Sequence, residues 1–189
     1  MAHSAHAARS TRTRGSTHQD VGPPEPHEED AVPRRAGNWR ELAGRYALLP
    51  LRLFLGATFL YAGVDKLTDG LFLQEAGLGS VGDLMSNVRD GSAVPRLVDL
   101  ALHDPVSVGY AIAFAEIAVG TATLVGLLAR TAALGGALVS LTLWLTVSWS
   151  TTPYYYGNDL VYLLAWTPLV LAGARVLSLD ARVAAGRTG

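Results

Sequence analysis

The chain has 189 residues, of which 50% are hydrophobic, and its formal net charge is −1. This length allows one domain, and the hydrophobic share indicates something other than an ordinary soluble protein. The absence of cysteine excludes disulfide exchange, thiol catalysis and cysteine-ligated iron–sulfur clusters within the chain.

Residues 1–38 are polar, rich in Ala, Ser, Thr, His, Arg and Pro, and lack apolar periodicity, which predicts a disordered cytoplasmic tail. Irregular spacing favours solvated side chains over a metal site for the histidines of this tail: His3, His6, His18 and His27. His103 is the only other histidine, whereas a bis-histidine haem site needs two. We therefore expect no metal, haem, iron–sulfur or nucleotide cofactor in this chain, and no nucleic-acid partner.

Long apolar runs follow the tail. Residues 131–158 contain no Asp, Glu, Lys or Arg, and residues 105–129 contain only Glu116. A membrane-spanning helix needs roughly 20 mostly apolar residues. A soluble bundle would instead need charged stripes facing water, and these are missing. The sequence predicts an all-α fold, namely an integral membrane four-helix bundle. The predicted domain covers residues 39–181 and is followed by a short cytoplasmic tail, 182–189. The predicted spans are at about 47–67, 106–128, 131–150 and 159–177.

The first span carries charge near both ends. On a helical wheel, one stripe holds two cations and two glycines: Arg52, Gly56, Phe59, Gly63 and Lys66. Glycine lets a neighbouring helix backbone approach closely, so this stripe is predicted to be the packed face. Tyr61 points in the opposite direction.

The segment between the first two spans, residues 68–105, has helical apolar spacing interrupted at Gly91 and Pro95. This pattern predicts two short amphipathic helices at the outer surface. They either cover the mouth of the bundle or line a substrate entrance.

The second span repeats the spacing of the first with small residues around one acid: Gly109, Ala113, Glu116, Gly120 and Thr123. The two stripes are predicted to pack together. Glu116 lies near mid-span, about 10 Å along the membrane normal from both Arg52 and Lys66, so either cation reaches it only when extended or through water. Ionisable groups inside a membrane mark functional sites, and these three are the catalytic candidates. The alternative for Arg52 is snorkelling to the lipid headgroups, and for Lys66 it is simple placement at the interface.

Aromatic and polar residues, YYYGND, precede the fourth span. An aromatic belt at the interface is one explanation. A pocket for a quinone headgroup or a small polar ligand is the other, and its candidate binding residues are Tyr61, Tyr154, Tyr155, Tyr156, Asn158 and Asp159.

Basic residues lie on one side of the predicted spans: Arg34, Arg35, Arg40, Arg45, Arg130, Arg175, Arg182 and Arg187. The segment 68–105 is instead mainly acidic. We expect a multi-pass protein of the bacterial plasma membrane, and the positive-inside rule predicts that both of its termini are in the cytoplasm.

An ordered set of motifs runs from about residue 47 to residue 181: Arg52 opening the first span, AGVDKL (62–67), AEIAVG (115–120), LVGLLAR (124–130), YYYGND (154–159) and LSLDA (177–181). This order and spacing resemble the DoxX family, and the YYYG signature with the long first outer segment resembles its DoxD branch, the small subunit of thiosulfate:quinone oxidoreductase. The resemblance implies a four-helix membrane protein associated with redox chemistry. By motif, it carries Arg52, Lys66, Glu116, Asn158 and Asp159 over as functional candidates.

For the DoxD branch, the resemblance implies oxidation of thiosulfate to tetrathionate, with electrons passed to membrane quinone together with a second subunit. We therefore expect a quinone-interacting subunit of a redox complex, which, if an enzyme, is a quinone-linked oxidoreductase subunit. The alternative is a non-catalytic membrane scaffold or a small-molecule permease. The expected partners of the protein are the lipid bilayer and a second redox subunit or complex, or further copies of the chain in a homo-oligomer.

Overall fold

A computed structural model of the protein describes residues 35–174 and 176–179, with side chains from Trp39 onward. Every regular element in these residues is helical, which confirms the predicted all-α fold. The α-helices are α1 (Arg35–Tyr46), α2 (Leu49–Thr68), α3 (Val81–Val88), α4 (Pro95–Ala101), α5 (Pro105–Val125), α6 (Ala129–Leu143) and α7 (Asn158–Ala172).

Three helical segments are long and apolar enough to cross a bilayer: Trp39–Thr68, Pro105–Val125 and Ala129–Ser148. The third consists of α6 and a π-helical turn, Trp144–Ser148. The fourth predicted span, α7, is apolar but has only 15 residues, about 22 Å of helix. Large apolar side chains are exposed around the bundle, among them Phe54, Phe114, Leu138, Leu164 and Leu171. This surface suits lipid, and the protein is a multi-pass membrane protein.

Two predicted span ends are wrong, and glycine is the reason in each case. The second span ends at Val125 instead of about 128, because Gly126 adopts φ +70° and terminates α5. The fourth ends at Ala172 instead of about 177, because Gly173 adopts φ +68°. Backbone with this sign of φ strains most other residues.

The N-terminal tail is also shorter than predicted. Helix α1 begins at Arg35, inside the predicted disordered segment 1–38, because residues 35–46 contain several good helix formers. The remainder of that segment and the predicted C-terminal tail, 182–189, lie outside the described residues.

The four long helices run alternately up and down and form one bundle. Helix α2 packs most extensively on α5, and α6 packs on α7. The apolar core lies between α2, α6 and α7, and it consists of Leu55, Phe59, Ala133, Trp166 and Leu169. We call the end that holds α1 and the α5–α6 connection the terminal end, and the opposite end the hairpin end.

The segment between α2 and α5, which we call the hairpin segment (residues 69–104), contains α3 and α4, confirming the two short helices predicted there. It is fastened to the end of the third span. The Ala93 amide and the Ser92 hydroxyl both donate to the Leu145 carbonyl, at 2.9 and 3.1 Å. This carbonyl is in the π-helical turn that ends the third span, where carbonyl groups lack donors from their own helix. The hairpin segment supplies these donors.

Candidate functional site

The interface of α2 and α5 is formed by the two stripes that the sequence predicts. On α2 the buried residues are Arg52, Leu55, Gly56, Phe59 and Gly63. On α5 they include every member of the predicted stripe: Gly109, Ala113, Glu116, Gly120 and Thr123. The predicted packing of these faces is confirmed at Gly56, Gly63 and Lys66, which contact α5. Phe59 and Arg52 of the same stripe instead contact α7 and the residues after it.

Two glycines set how closely α2 and α5 approach. A Cβ on Gly63 would lie 2.5 Å from the Ala113 carbonyl oxygen, and a Cβ on Gly120 would lie 2.5 Å from the Leu60 amide nitrogen. Both hypothetical contacts are with backbone, which cannot swing aside as a side chain can. These contacts also fix the position of one helix along the other.

Lys66 and Glu116 form an ion pair across this interface. The Lys66 Nζ donates to Glu116 Oε2 at 2.7 Å and to Oε1 at 3.0 Å. The Glu116 side chain is 4% exposed and the Lys66 side chain 23%. The predicted axial separation of about 10 Å is wrong for this pair. Gly63 packs level with Ala113 and Ile117, so Lys66 lies only about one helical turn from Glu116.

Asp159 lies near this ion pair. It interacts electrostatically with both Lys66 and Glu116, so a second carboxylate contributes to the field at the Lys66 ammonium group, which forms its ion pair with Glu116. Asp159 also accepts a hydrogen bond from the Ser148 hydroxyl. Gly157 is buried against Ser148, where a Cβ would lie 2.9 Å from that side chain. The chain entering α7 is therefore close to the end of the third span.

We call Lys66, Glu116, Ser148 and Asp159 the polar cluster. Arg52 is not part of it. Its two terminal nitrogens donate to the backbone carbonyls of Val176 and Leu177, both at 2.8 Å. The cation that reaches Glu116 is therefore Lys66. Arg52 instead fastens α2 to the segment that follows α7.

The tyrosines lie outside the polar cluster. Tyr61 is 72% exposed on the far side of α2. Tyr154, Tyr155 and Tyr156 form one turn of 3₁₀-helix, and their neighbouring rings stack edge to face while remaining exposed. Asn158 is exposed as well. Binding of a quinone by these residues stays a prediction.

Ser148 was not among the predicted site residues. The available signal was its place at the end of the third span, directly before the loop that leads to Asp159. The carbonyls of Val176 and Leu177 were also not predicted. No sequence pattern identifies these carbonyls as partners of Arg52, because any backbone carbonyl can accept a hydrogen bond.

An apolar cavity of about 260 Å³ lies between the hairpin segment and helices α5 and α6. Its lining includes Met85, Val98, Ile112 and Leu143. Ile112 is one helical turn from Glu116 on α5, so the cavity begins close to the polar cluster. A hydrocarbon chain suits such a lining. Within the described part of the chain, no three His, Asp or Glu side chains group as a metal site would require.

The model of one protein family, DoxX, matches residues 47–149. No curated protein and no solved structure matches the chain. The matched region contains α2, the hairpin segment, α5 and the third span, and hence both members of the Lys66–Glu116 ion pair. Because the match covers more than half of the 189 residues, the chain belongs to the DoxX family.

Proposed function

We propose that the protein is a quinone-interacting membrane subunit of a redox complex in the bacterial plasma membrane. The observation that carries this proposal is the buried Lys66–Glu116 ion pair, with Asp159 nearby and an apolar cavity about one helical turn away. A quinone needs a polar place for its headgroup and an apolar one for its tail. Ile112 lines the apolar cavity and precedes Glu116 by about one turn of α5, which supports a headgroup at the ion pair and a tail in the cavity.

A bound quinone would supply two-electron redox chemistry, accepting two electrons and two protons to become the quinol. In this proposal Lys66 donates a hydrogen bond to a headgroup oxygen. Glu116 and Asp159 hold and transfer protons, and Ser148 orients the Asp159 carboxylate. The electrons come from a second subunit. Thiosulfate is the donor implied by the DoxD resemblance, although the acidic hairpin segment repels such a dianion.

A second candidate function is a membrane scaffold. The same ion pair joins α2 to α5, the helices whose backbones approach most closely at Gly63 and Gly120. An ion pair in that position locks the two helices together. In this case the charges have no chemical task.

The test is affinity purification of the full chain in mild detergent, with identification of co-purified proteins and extraction of bound quinone. Glu116→Gln is compared with wild type, and Glu41→Gln serves as the control because it is the same substitution at an exposed residue of α1, away from the cavity. We expect quinone in wild type and Glu41→Gln, and at least a tenfold loss in Glu116→Gln with helicity unchanged. Donor-dependent quinone reduction, assayed with thiosulfate and with a second donor, should fall in parallel.

The scaffold function predicts a different result. Wild type would carry no quinone and support no quinone reduction, and Glu116→Gln would lower only the thermal stability. That outcome would overturn the redox proposal.

A further inference from the structure

A second cavity, of about 210 Å³, lies at the terminal end of the bundle, far from the Lys66–Glu116 ion pair. One wall comes from the junction of α1 and α2 and includes Arg45, Leu48 and Arg52. The opposite wall comes from the end of α7 and the residues after it, including Leu169, Gly173 and Val176.

This cavity is positively charged. Arg45 and Arg52 line it, and no acidic side chain does so among the described residues. Arg130 comes close to its wall, because a Cβ on Gly173 would lie 3.4 Å from the Arg130 Nε. The described residues offer no carboxylate within ion-pair distance of any of these guanidinium groups. Two cations therefore line the cavity and a third lies near its wall, without a counter-ion from this part of the chain.

Arg52 is the most constrained of the three. It is 5% exposed, and its two terminal nitrogens are held by the carbonyls of Val176 and Leu177. Hydrogen bonds to carbonyls fix the position of a guanidinium group but leave its positive charge in place. The Arg52 Nε has no partner among the described residues. An anion in the cavity would balance this buried charge.

The surroundings of the cavity are apolar. Leucines line it beside the arginines, and Leu53 and Leu171 are exposed on the neighbouring turns of α2 and α7. Helix α1, at its mouth, exposes Trp39 and Tyr46, side chains that favour the level of lipid headgroups. An anion at this place would have its polar part against arginine and its apolar part along the bundle.

From these observations we propose that this cavity binds the headgroup of an anionic phospholipid, with the phosphate at Arg45 and Arg52 and the acyl chains along α2 and α7. Guanidinium groups pair well with phosphate oxygens, and basic cavities between membrane helices are suited to anionic headgroups. A zwitterionic lipid is disfavoured, because no described lining residue offers a carboxylate for its ammonium group. This site does not depend on the proposed redox function.

The test is native mass spectrometry of the detergent-solubilised full chain, titrated with dioleoyl phosphatidylglycerol or dioleoyl phosphatidylcholine. The variant is Arg45→Gln, because substitution of the buried Arg52 could prevent folding. The control is Arg40→Gln, which removes the same charge from the same helix outside the cavity. We expect phosphatidylglycerol to bind at least fivefold more tightly than phosphatidylcholine. Arg45→Gln should abolish that preference, and Arg40→Gln should retain it.

Equal weakening by both variants would mean general attraction to a basic surface and would overturn the site. Equal affinity for the two lipids in wild type would overturn the preference for an anionic headgroup. A third arm adds inorganic phosphate as a competitor. If millimolar phosphate displaces the lipid from wild type but not from Arg45→Gln, the site takes free phosphate, and the lipid assignment is wrong.

Discussion

Gly63 is the residue at which α2 and α5 are in closest backbone contact near the ion pair. Because the Ala113 carbonyl would lie 2.5 Å from an added Cβ, Gly63→Ala must push the two helices apart. We expect the free energy of unfolding in detergent to fall by about 1 to 3 kcal/mol, the usual cost of overpacking a well-packed interface. Denaturant titration followed by circular dichroism measures this change.

The matched control is Gly44→Ala in α1, where no heavy atom lies within 4 Å of an added Cβ. There, alanine should leave stability unchanged or raise it by at most about 1 kcal/mol, because glycine is the poorer helix former. Equal losses for the two variants would contradict the close approach of α2 and α5 at Gly63.

Residue spacing alone predicted which faces of α2 and α5 meet, because helical periodicity fixes the direction of each side chain. It did not predict that Lys66 reaches Glu116 directly. The position of one helix along the other depends on contacts such as that of Gly63 with Ala113. These contacts join helices that are far apart in the sequence, and no local sequence pattern encodes how far one helix is shifted along the other. The partners of Arg52 could not be predicted for the same reason, because they are distant from it in the sequence.

At the scale of the elements, an ion pair holds α3 and α4 together within the hairpin segment. Arg89, just after α3, contacts Asp99 in α4. The hydrogen bond and positive charge of Arg89 hold the pKa of Asp99 below its usual value. We expect Asp99 to titrate below the usual aspartate range in wild type and within that range in Arg89→Gln. Carboxyl-carbon NMR of the labelled protein in detergent measures both midpoints.

Asp104 is an internal control for this titration. Hydrogen bonds from Ser107 lower the pKa of Asp104, and Arg89 is not among the causes. Its midpoint should therefore not move in Arg89→Gln. Since the folded pKa of Asp99 is depressed, its ion pair stabilises the hairpin segment above the usual pKa and loses that effect as the pH falls through the depressed value. An unchanged Asp99 midpoint in Arg89→Gln would rule out this coupling.

Element types were easier to predict than element ends. Long apolar runs predicted the helices, and the interrupted spacing around Gly91 and Pro95 predicted two short helices where α3 and α4 lie. The ends of α5 and α7 were placed too late, because apolar residues continue past Gly126 and Gly173. Hydropathy does not register a change in the sign of φ.

For the whole molecule, the up-and-down bundle places Trp39 and the hairpin segment at opposite ends. The chain has no cysteine, so single cysteines can be introduced without a background. Trp39 is 76% exposed and Leu78 is 91% exposed. The arginine distribution predicts that both termini are cytoplasmic. In that orientation, a membrane-impermeant maleimide should label Leu78→Cys in intact cells and Trp39→Cys only after lysis.

Labelling of both variants in denaturant shows that each cysteine is present and reactive, and the cysteine-free parent measures non-specific signal. The reverse pattern, with Trp39→Cys labelled in intact cells, would contradict the orientation that the arginine distribution predicts.

The bond between Arg52 and the carbonyls of Val176 and Leu177 has a consequence for biosynthesis. Val176 is made 124 residues after Arg52. At about 5 to 20 residues per second, that delay is roughly 6 to 25 s. During this interval the guanidinium group must rely on water or lipid headgroups at the membrane surface. The first span can thus join the second before α7 inserts, but its arginine reaches its final partners only after the residues that follow α7 have been made.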